Sequence, residues 1–151
     1  MLRARLNDDL KIALKAKEKL AVATLRLILA ALKDRDIAAR GKGNCDGVGE
    51  DEILELLQKM VRQRRDSIEL FEKGERQDLA DREAAEIVVI QRFLPKQMDE
   101  AEIGAAVQEV IGELGAATIK DMGRVMGALK QRYAGRMDFG KASALVKERL
   151  V

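Results

Sequence analysis

The residues whose types and spacing could do chemistry are the basic residues and glycines near the end of the chain. Residues 114–151 carry eight basic and three acidic side chains, a net charge of +5, whereas the whole chain carries +2. Such an asymmetry favours a polyanionic partner, most simply a nucleic acid. The candidate nucleic-acid-binding side chains are Lys120, Arg124, Lys130, Arg132, Arg136 and Lys141.

Gly123 and Gly127 lie among these cations, four residues apart in a segment with helical periodicity. An interior glycine costs a helix about 1 kcal/mol relative to alanine, so we expect a neighbouring helix or a bound molecule to approach the backbone closely here. One explanation is that another helix packs against the two glycines. The other is that an RNA or DNA backbone lies on this surface, where phosphate contacts fix position without reading sequence. The apolar residues of the segment predict a core face on its other side: Met122, Val125, Met126, Leu129 and Tyr133.

The chain offers little for independent catalysis. It has no histidine, which removes the commonest general base and the Ser-His and Cys-His nucleophile pairs. Glu83 and Glu86 lie three apart on a predicted helix, and Arg64 falls within the apolar stripe of the helix before it. A buried guanidinium needs a carboxylate, so we expect an ion pair between Arg64 and one of these glutamates. No catalytic residue, metal site or cofactor is predicted.

The glycine-rich segment from Gly41 to Gly49 lacks the Gly-Lys-Ser/Thr ending of a phosphate-binding loop and is predicted to be a connector. Its Cys45 is the only cysteine, which excludes an intrachain disulfide framework. Neither a long uncharged apolar run nor a leader of the signal-peptide kind is present in the sequence. These features predict a cytoplasmic protein with no membrane partner.

An all-α fold follows from composition and periodicity. The chain is 36% charged and 3% aromatic, with its leucine and alanine at helical spacing. We predict an N-terminal domain of about four helices, residues 1–95, whose last helix runs from about Leu79 to Leu94 and ends at Pro95, the only proline. A C-terminal three-helix domain, residues 96–151, begins where Asp99 and Glu102 form a capping box.

Several segments resemble the YqeY-like (GatB/YqeY) family, and together they cover nearly the whole chain. The most specific is Asp-Met-Gly-Arg-Val-Met-Gly at residues 121–127. This sequence departs from the family's pattern in the 41–49 loop, which looks longer than usual in the family, and at Met137, where the family commonly has a small residue. The other segments are Phe-Leu-Pro-Lys-Gln-Met at 93–98, Asp-Glu-Ala-Glu-Ile at 99–103, Gly-Arg-x-Asp at 135–138, Gln-Arg-Arg-Asp-Ser-Ile at 63–68 with Phe71, and Gly-Glu-Arg-Gln-Asp-Leu at 74–79.

The resemblance implies a two-domain helical fold. Its C-terminal part is similar to the tail domain of the B subunit of the tRNA-dependent glutamyl/aspartyl amidotransferase, which is understood to engage tRNA. In that family ATP binding and chemistry reside in a separate cradle domain, for which this chain has no room. A term such as carbon–nitrogen ligase with glutamine as amido-N-donor therefore attaches to this chain by homology.

These observations lead to a hypothesis and its alternatives. The leading hypothesis is a non-catalytic tRNA-associated module that recognises tRNA or another structured RNA by shape and backbone. The alternative is a helical protein–protein adaptor in which Gly123 and Gly127 receive a partner helix. A third possibility joins the two: an accessory with a protein partner in a tRNA-modifying complex.

Overall fold

The computed structural model describes residues 1–150 and forms two compact units, Met1–Leu94 and Pro95–Val151. Residues 1–150 contain α-helices and one 3-10 turn but no β-strand, which confirms the all-α prediction. Four helices belong to the first unit and three to the second. Their bounds are α1 (Leu2–Lys15), α2 (Lys19–Gly41), α3 (Glu50–Lys73), α4 (Gln77–Gln91), α5 (Glu100–Leu114), α6 (Met122–Arg132) and α7 (Phe139–Arg149), with the 3-10 turn at Ile119–Asp121 before α6.

The first unit is held together by the apolar faces of α1 to α4. The buried side chains recur three or four residues apart on each helix, the spacing that places them on one face. α3 and α4 pack against each other most extensively, and α2 contacts both of them as well as α1. The largest fully buried side chains of this core are Leu6, Leu25, Ile28, Ile53, Leu57 and Ile90.

The glycine-rich connector is anchored at its second half. Asp36 accepts hydrogen bonds from both terminal nitrogens of Arg3, at 2.6 and 2.7 Å, and from the backbone N–H of Val48, at 2.9 Å. Arg3 also donates to the Val48 carbonyl at 3.0 Å. Gly47 has φ +89°, and a Cβ there would lie 2.8 Å from the Arg3 guanidinium. The hydrogen bonds from Arg3, followed by that from Val48, lower the pKa of Asp36 to about 2. This segment is therefore bound to α1 and α2.

The fourth helix differs from its predicted extent. α4 ends at Gln91 instead of Leu94. The N–H groups of Arg92 and Phe93 bond to carbonyls three residues back, so the chain tightens into a turn before Pro95. Phe93 is 3% exposed in this turn, and packing of its ring against the core places the end of the helix earlier than proline alone requires.

The second unit packs α5, α6 and α7 around a core of its own. Val107, Val110, Val125, Leu129 and Val146 have no exposed surface. α6 contacts both α5 and α7. The capping box that predicts the start of α5 is present, because the Glu102 N–H donates to Asp99 at 2.8 Å and the Asp99 N–H donates to Glu102 at 3.4 Å.

Candidate nucleic-acid interface

The exposed face of α6 carries the glycines and three of the predicted cations. Gly123, Arg124, Gly127 and Lys130 are all exposed, and Lys120 is exposed in the 3-10 turn just before the helix. The opposite face is apolar and belongs to the core of the second unit, with Val125 and Leu129 fully buried. Because residues three and four apart lie on one side of a helix, the exposed set forms one surface. We call Lys120, Gly123, Arg124, Gly127 and Lys130 the α6 face.

The backbone of the α6 face is open at both glycines. Among residues 1–150, a Cβ added at Gly123 or Gly127 would meet no atom within 4 Å other than its chain neighbours and the nearby backbone of its own helix. The explanation that another helix of this chain packs on these glycines is therefore not met among residues 1–150. The surface is free to receive a group from another molecule.

The start of the α6 face is fixed by Asp121. One carboxylate oxygen accepts the N–H groups of Ala117 and Thr118 at 3.1 and 3.4 Å, and the other accepts Arg124 at 3.0 Å. The donors Ala117 and Thr118, followed by Arg124, lower the pKa of Asp121 below its usual range. Thr118 and Asp121 thus begin the helical segment as a 3-10 turn that continues into α6 at Met122.

The six predicted cations differ in whether a carboxylate neutralises them. Arg124 pairs with Asp121 at 3.0 Å, Arg132 with Glu113 at 2.5 Å, and Lys141 with Glu100 at 3.6 Å. The Glu113 carboxylate raises the pKa of Arg132. Within residues 1–150, no carboxylate lies in ion-pair range of the other three, which are Lys120, Lys130 and Arg136.

The structure does not bring all six cations to the α6 face. Arg132 reaches across to α5 through Glu113. Arg136 lies in the turn between α6 and α7, where its carbonyl accepts the Met98 N–H at 2.8 Å. Lys141 lies in the first turn of α7 beside Glu100. Sequence reasoning missed Glu100 and Glu113 as neutralising partners, because each approaches its cation only through the packing of separate helices.

The carboxylates of α4 form the expected structural ion pair. Arg64 donates to Glu86 at 2.8 Å and to the Met60 carbonyl at 3.2 Å. The Arg64 side chain is only 12% exposed and the Glu86 side chain 11%. Arg82 approaches the second carboxylate oxygen of Glu86 at 3.8 Å. Glu86 is thus the partner that Arg64 requires, while Glu83 is not part of the pair.

Residues 1–150 offer little for other kinds of site. Cys45 is exposed in the connector. In that part of the chain no group of three or more metal-ligating side chains is found. None of its helices combines the length and apolar character needed to span a bilayer.

Comparison with known proteins identifies a family and several named relatives. Residues 3–150 match the family described as Yqey-like protein. The chain is 40% identical over 113 residues to "Altered inheritance of mitochondria protein 41, mitochondrial" of Lachancea thermotolerans, covering 74% of this chain and 58% of that protein. The Kluyveromyces lactis protein of the same name is 33% identical over 114 residues, 74% of this chain and 59% of the relative. A Saccharomyces cerevisiae protein of that name is 33% identical over 89 residues, 59% and 46%.

These comparisons contradict the predicted location and confirm the resemblance to the family. Their names place them in mitochondria, which contradicts the cytoplasmic location predicted from the sequence. That prediction was wrong because the absence of an apolar span and of a secretory leader does not separate the cytosol from a mitochondrial compartment. The chain spans less than three-fifths of the length of the curated relatives that it matches. The family match extends over nearly all of the sequence, and this chain belongs to the Yqey-like protein family.

Proposed function

We propose that this protein is a non-catalytic module that binds tRNA or another structured RNA through the phosphate backbone, using the α6 face. The single observation that carries the proposal is the open backbone at Gly123 and Gly127 between the unneutralised cations Lys120 and Lys130. The resemblance of the C-terminal segments to the amidotransferase tail domain supports tRNA as the RNA. A non-catalytic role is supported by the lack of histidine and by the ion pair that occupies Glu86.

The charge on the α6 face is available to a ligand. The Arg124 side chain is 59% exposed, and its pairing with Asp121 is an exposed i,i+3 contact. Pairs of this kind contribute roughly 0–1 kcal/mol, so an RNA phosphate can compete for the guanidinium. Lys120 and Lys130 have no ion pair within residues 1–150 that a phosphate would have to break. Three cations around a surface without side chains allow a phosphate backbone to approach the helix closely.

Recognition through the backbone, without base stacking, is supported by the aromatic side chains. The second unit contains Tyr133 and Phe139, and both pack against its apolar core. Both rings are therefore partly buried, and within residues 95–150 neither stands out as the open stacking platform that single-stranded RNA binding commonly uses. Folded RNA can be recognised by shape and by its phosphates.

A salt titration of tRNA binding tests this proposal. Each phosphate contact contributes a slope of about −0.7 to −0.9 to log K against log salt. We expect the variant Lys120→Ala/Arg124→Ala/Lys130→Ala to bind more weakly and to reduce the slope by about 2 to 3. The matched control removes three exposed lysines of the first unit: Lys11→Ala/Lys33→Ala/Lys59→Ala.

Two outcomes would contradict the proposal. The first is no binding of tRNA by the native chain at low salt. The second is an equal loss of affinity in the α6 variant and in the first-unit control, because net charge alone would then explain the binding. A protein adaptor is the second candidate function, since the open glycines also suit a partner helix. A protein partner retained after nuclease treatment and lost in Gly127→Leu would favour the adaptor.

A further inference from the structure

A second open surface of the C-terminal unit lies between α5 and α7. It is a groove of about 730 Å³. Its wall from α5 is formed by Ala101, Gly104 and Ala105, and its wall from α7 by Ala144 and Leu145. The three alanines are exposed. We call these five residues and the charged side chains at its edge the α5/α7 groove.

The shape of the α5/α7 groove suits a helix. Its α5 residues run from Glu100 to Gln108 and its α7 residues from Lys141 to Arg149, which is about 12 Å or two turns on each helix. Four of the lining residues have no side chain beyond Cβ. Helices pack at about 8–10 Å between axes, and small side chains permit the closer end of that range.

The charges at the edge of the groove define what the occupant must carry. Arg149 lies across α5, donating to the Gly104 carbonyl at 3.2 Å and to Gln108 at 2.5 Å. Both acceptors are uncharged, and no carboxylate of residues 1–150 lies in ion-pair range of Arg149. These two bonds orient the guanidinium, and among residues 1–150 no carboxylate compensates its charge.

Lys141 supplies a second cation two turns away. It approaches Glu100 at 3.6 Å, and the two side chains are 57% and 84% exposed. An ion pair this exposed contributes little, so an incoming carboxylate can replace Glu100. The groove thus presents an apolar strip with Arg149 at one end and the exposed Lys141–Glu100 pair at the other.

We infer that the α5/α7 groove binds an amphipathic helix of a partner protein, whose small apolar residues lie between two carboxylates about two turns apart. The carboxylates meet Arg149 and Lys141, and the apolar side chains lie on Ala105 and Ala144. This is the helix-in-groove mode of recognition, with anchors on one face of the bound helix. The inference does not depend on RNA binding, because the α6 face uses other residues.

A pair of designed peptides tests the inference with the full chain. The first is a fluorescent, lactam-bridged helix of about four turns with glutamates seven residues apart and leucine and alanine between them. The second has lysines in place of the two glutamates. By fluorescence anisotropy we expect the acidic peptide to bind at least about tenfold more tightly than the basic one, with the difference reduced by salt. Equal binding of the two peptides, or none by the acidic one, overturns the inference.

Variants of the protein locate the site. Ala144→Gln fills the groove from an exposed helical position and is expected to weaken the acidic peptide about tenfold or more. Ala30→Gln, an exposed helical alanine of the first unit, is the matched control and should bind as the native chain does. Arg149→Gln should reduce the preference for the acidic peptide, and Arg149→Gln with Lys141→Gln should remove it.

tRNA binding by the same variants separates this inference from the proposed function. We expect Ala144→Gln to bind tRNA normally and the α6 triple variant to bind the acidic peptide normally. If Ala144→Gln loses tRNA while peptide binding is unchanged, the groove is part of an RNA surface and the inference of a partner helix is overturned.

Discussion

Gly127→Ala is expected to make the protein more stable and to weaken its binding of RNA. Gly127 lies inside α6, and a Cβ there meets nothing within 4 Å. Alanine therefore raises the helix propensity without a clash, which should increase the free energy of unfolding by about 1 kcal/mol. Part of this gain arises because alanine reduces the conformational entropy of the unfolded chain. In a unit of this size that raises the melting temperature by about 4–8 °C. Gly123→Ala should behave in the same way, because its Cβ position is equally open.

The stability of the second unit can be measured by itself. Tyr133 is the only tyrosine, the chain has no tryptophan, and the ring packs in the core of the second unit. Tyrosine fluorescence during urea unfolding therefore reports on that unit alone, and the shift of the midpoint gives the change in unfolding free energy.

The effect on binding should have the opposite sign. If an RNA backbone lies against the α6 face, a methyl group at Gly127 separates it from the helix and weakens filter binding of tRNA, and Gly127→Leu should weaken it more. Gly112→Ala is the control, because Gly112 is an exposed glycine of α5 that also has open space at Cβ. It should stabilise the unit without changing tRNA affinity.

Two results would refute this reasoning. A loss of stability in Gly127→Ala would show that the space around the glycine is occupied in solution. A gain in stability with tRNA affinity unchanged in both Gly127→Ala and Gly127→Leu would show that no ligand backbone approaches the helix there.

Three further predictions concern the first unit. The pKa of Asp36 is lowered to about 2 by Arg3, so the ionised carboxylate stabilises the folded state fully above pH 4, and this contribution is lost as the pH falls towards 2. Asp36→Asn should therefore lower the free energy of unfolding by about 1–2 kcal/mol at pH 7. In acid titrations followed by far-UV circular dichroism, the stability of this variant should depend less on pH between 4 and 2 than that of the native chain. Lys17 is exposed with φ +58°, and Lys17→Gly should stabilise by about 0.5–1 kcal/mol in thermal unfolding, with a loss of stability contradicting the strain argument. Glu86→Ala leaves the guanidinium of Arg64 buried and unpaired and should lower the free energy of unfolding in urea by about 3 kcal/mol. The double variant Arg64→Met/Glu86→Leu should lower it by less, because no buried charge is left. A loss in the double variant equal to the sum of the losses in its two single variants would contradict the pairing.

The α6 face illustrates how much of the candidate site could be predicted. Helical spacing placed Gly123, Gly127 and the neighbouring cations on one side, because the period of a helix is a local property of the chain. Whether another helix covers the glycines depends on where distant segments pack, and local sequence does not contain that information. The same limit applied to Arg132 and Lys141, whose acidic partners lie 19 and 41 residues away in sequence.

The rest of the chain shows the same division. Sequence alone determined that the chain is helical, that Asp99 begins a helix and that Arg64 needs a carboxylate, since these follow from periodicity, capping and the cost of burying charge. Tertiary structure decided that the carboxylate is Glu86, that Arg3 and Asp36 hold the connector at Val48, and that α4 stops at Gln91. Each of these depends on which helix faces meet, and helix faces are matched by burial of surface across the whole unit, whereas periods and caps are set within a few residues.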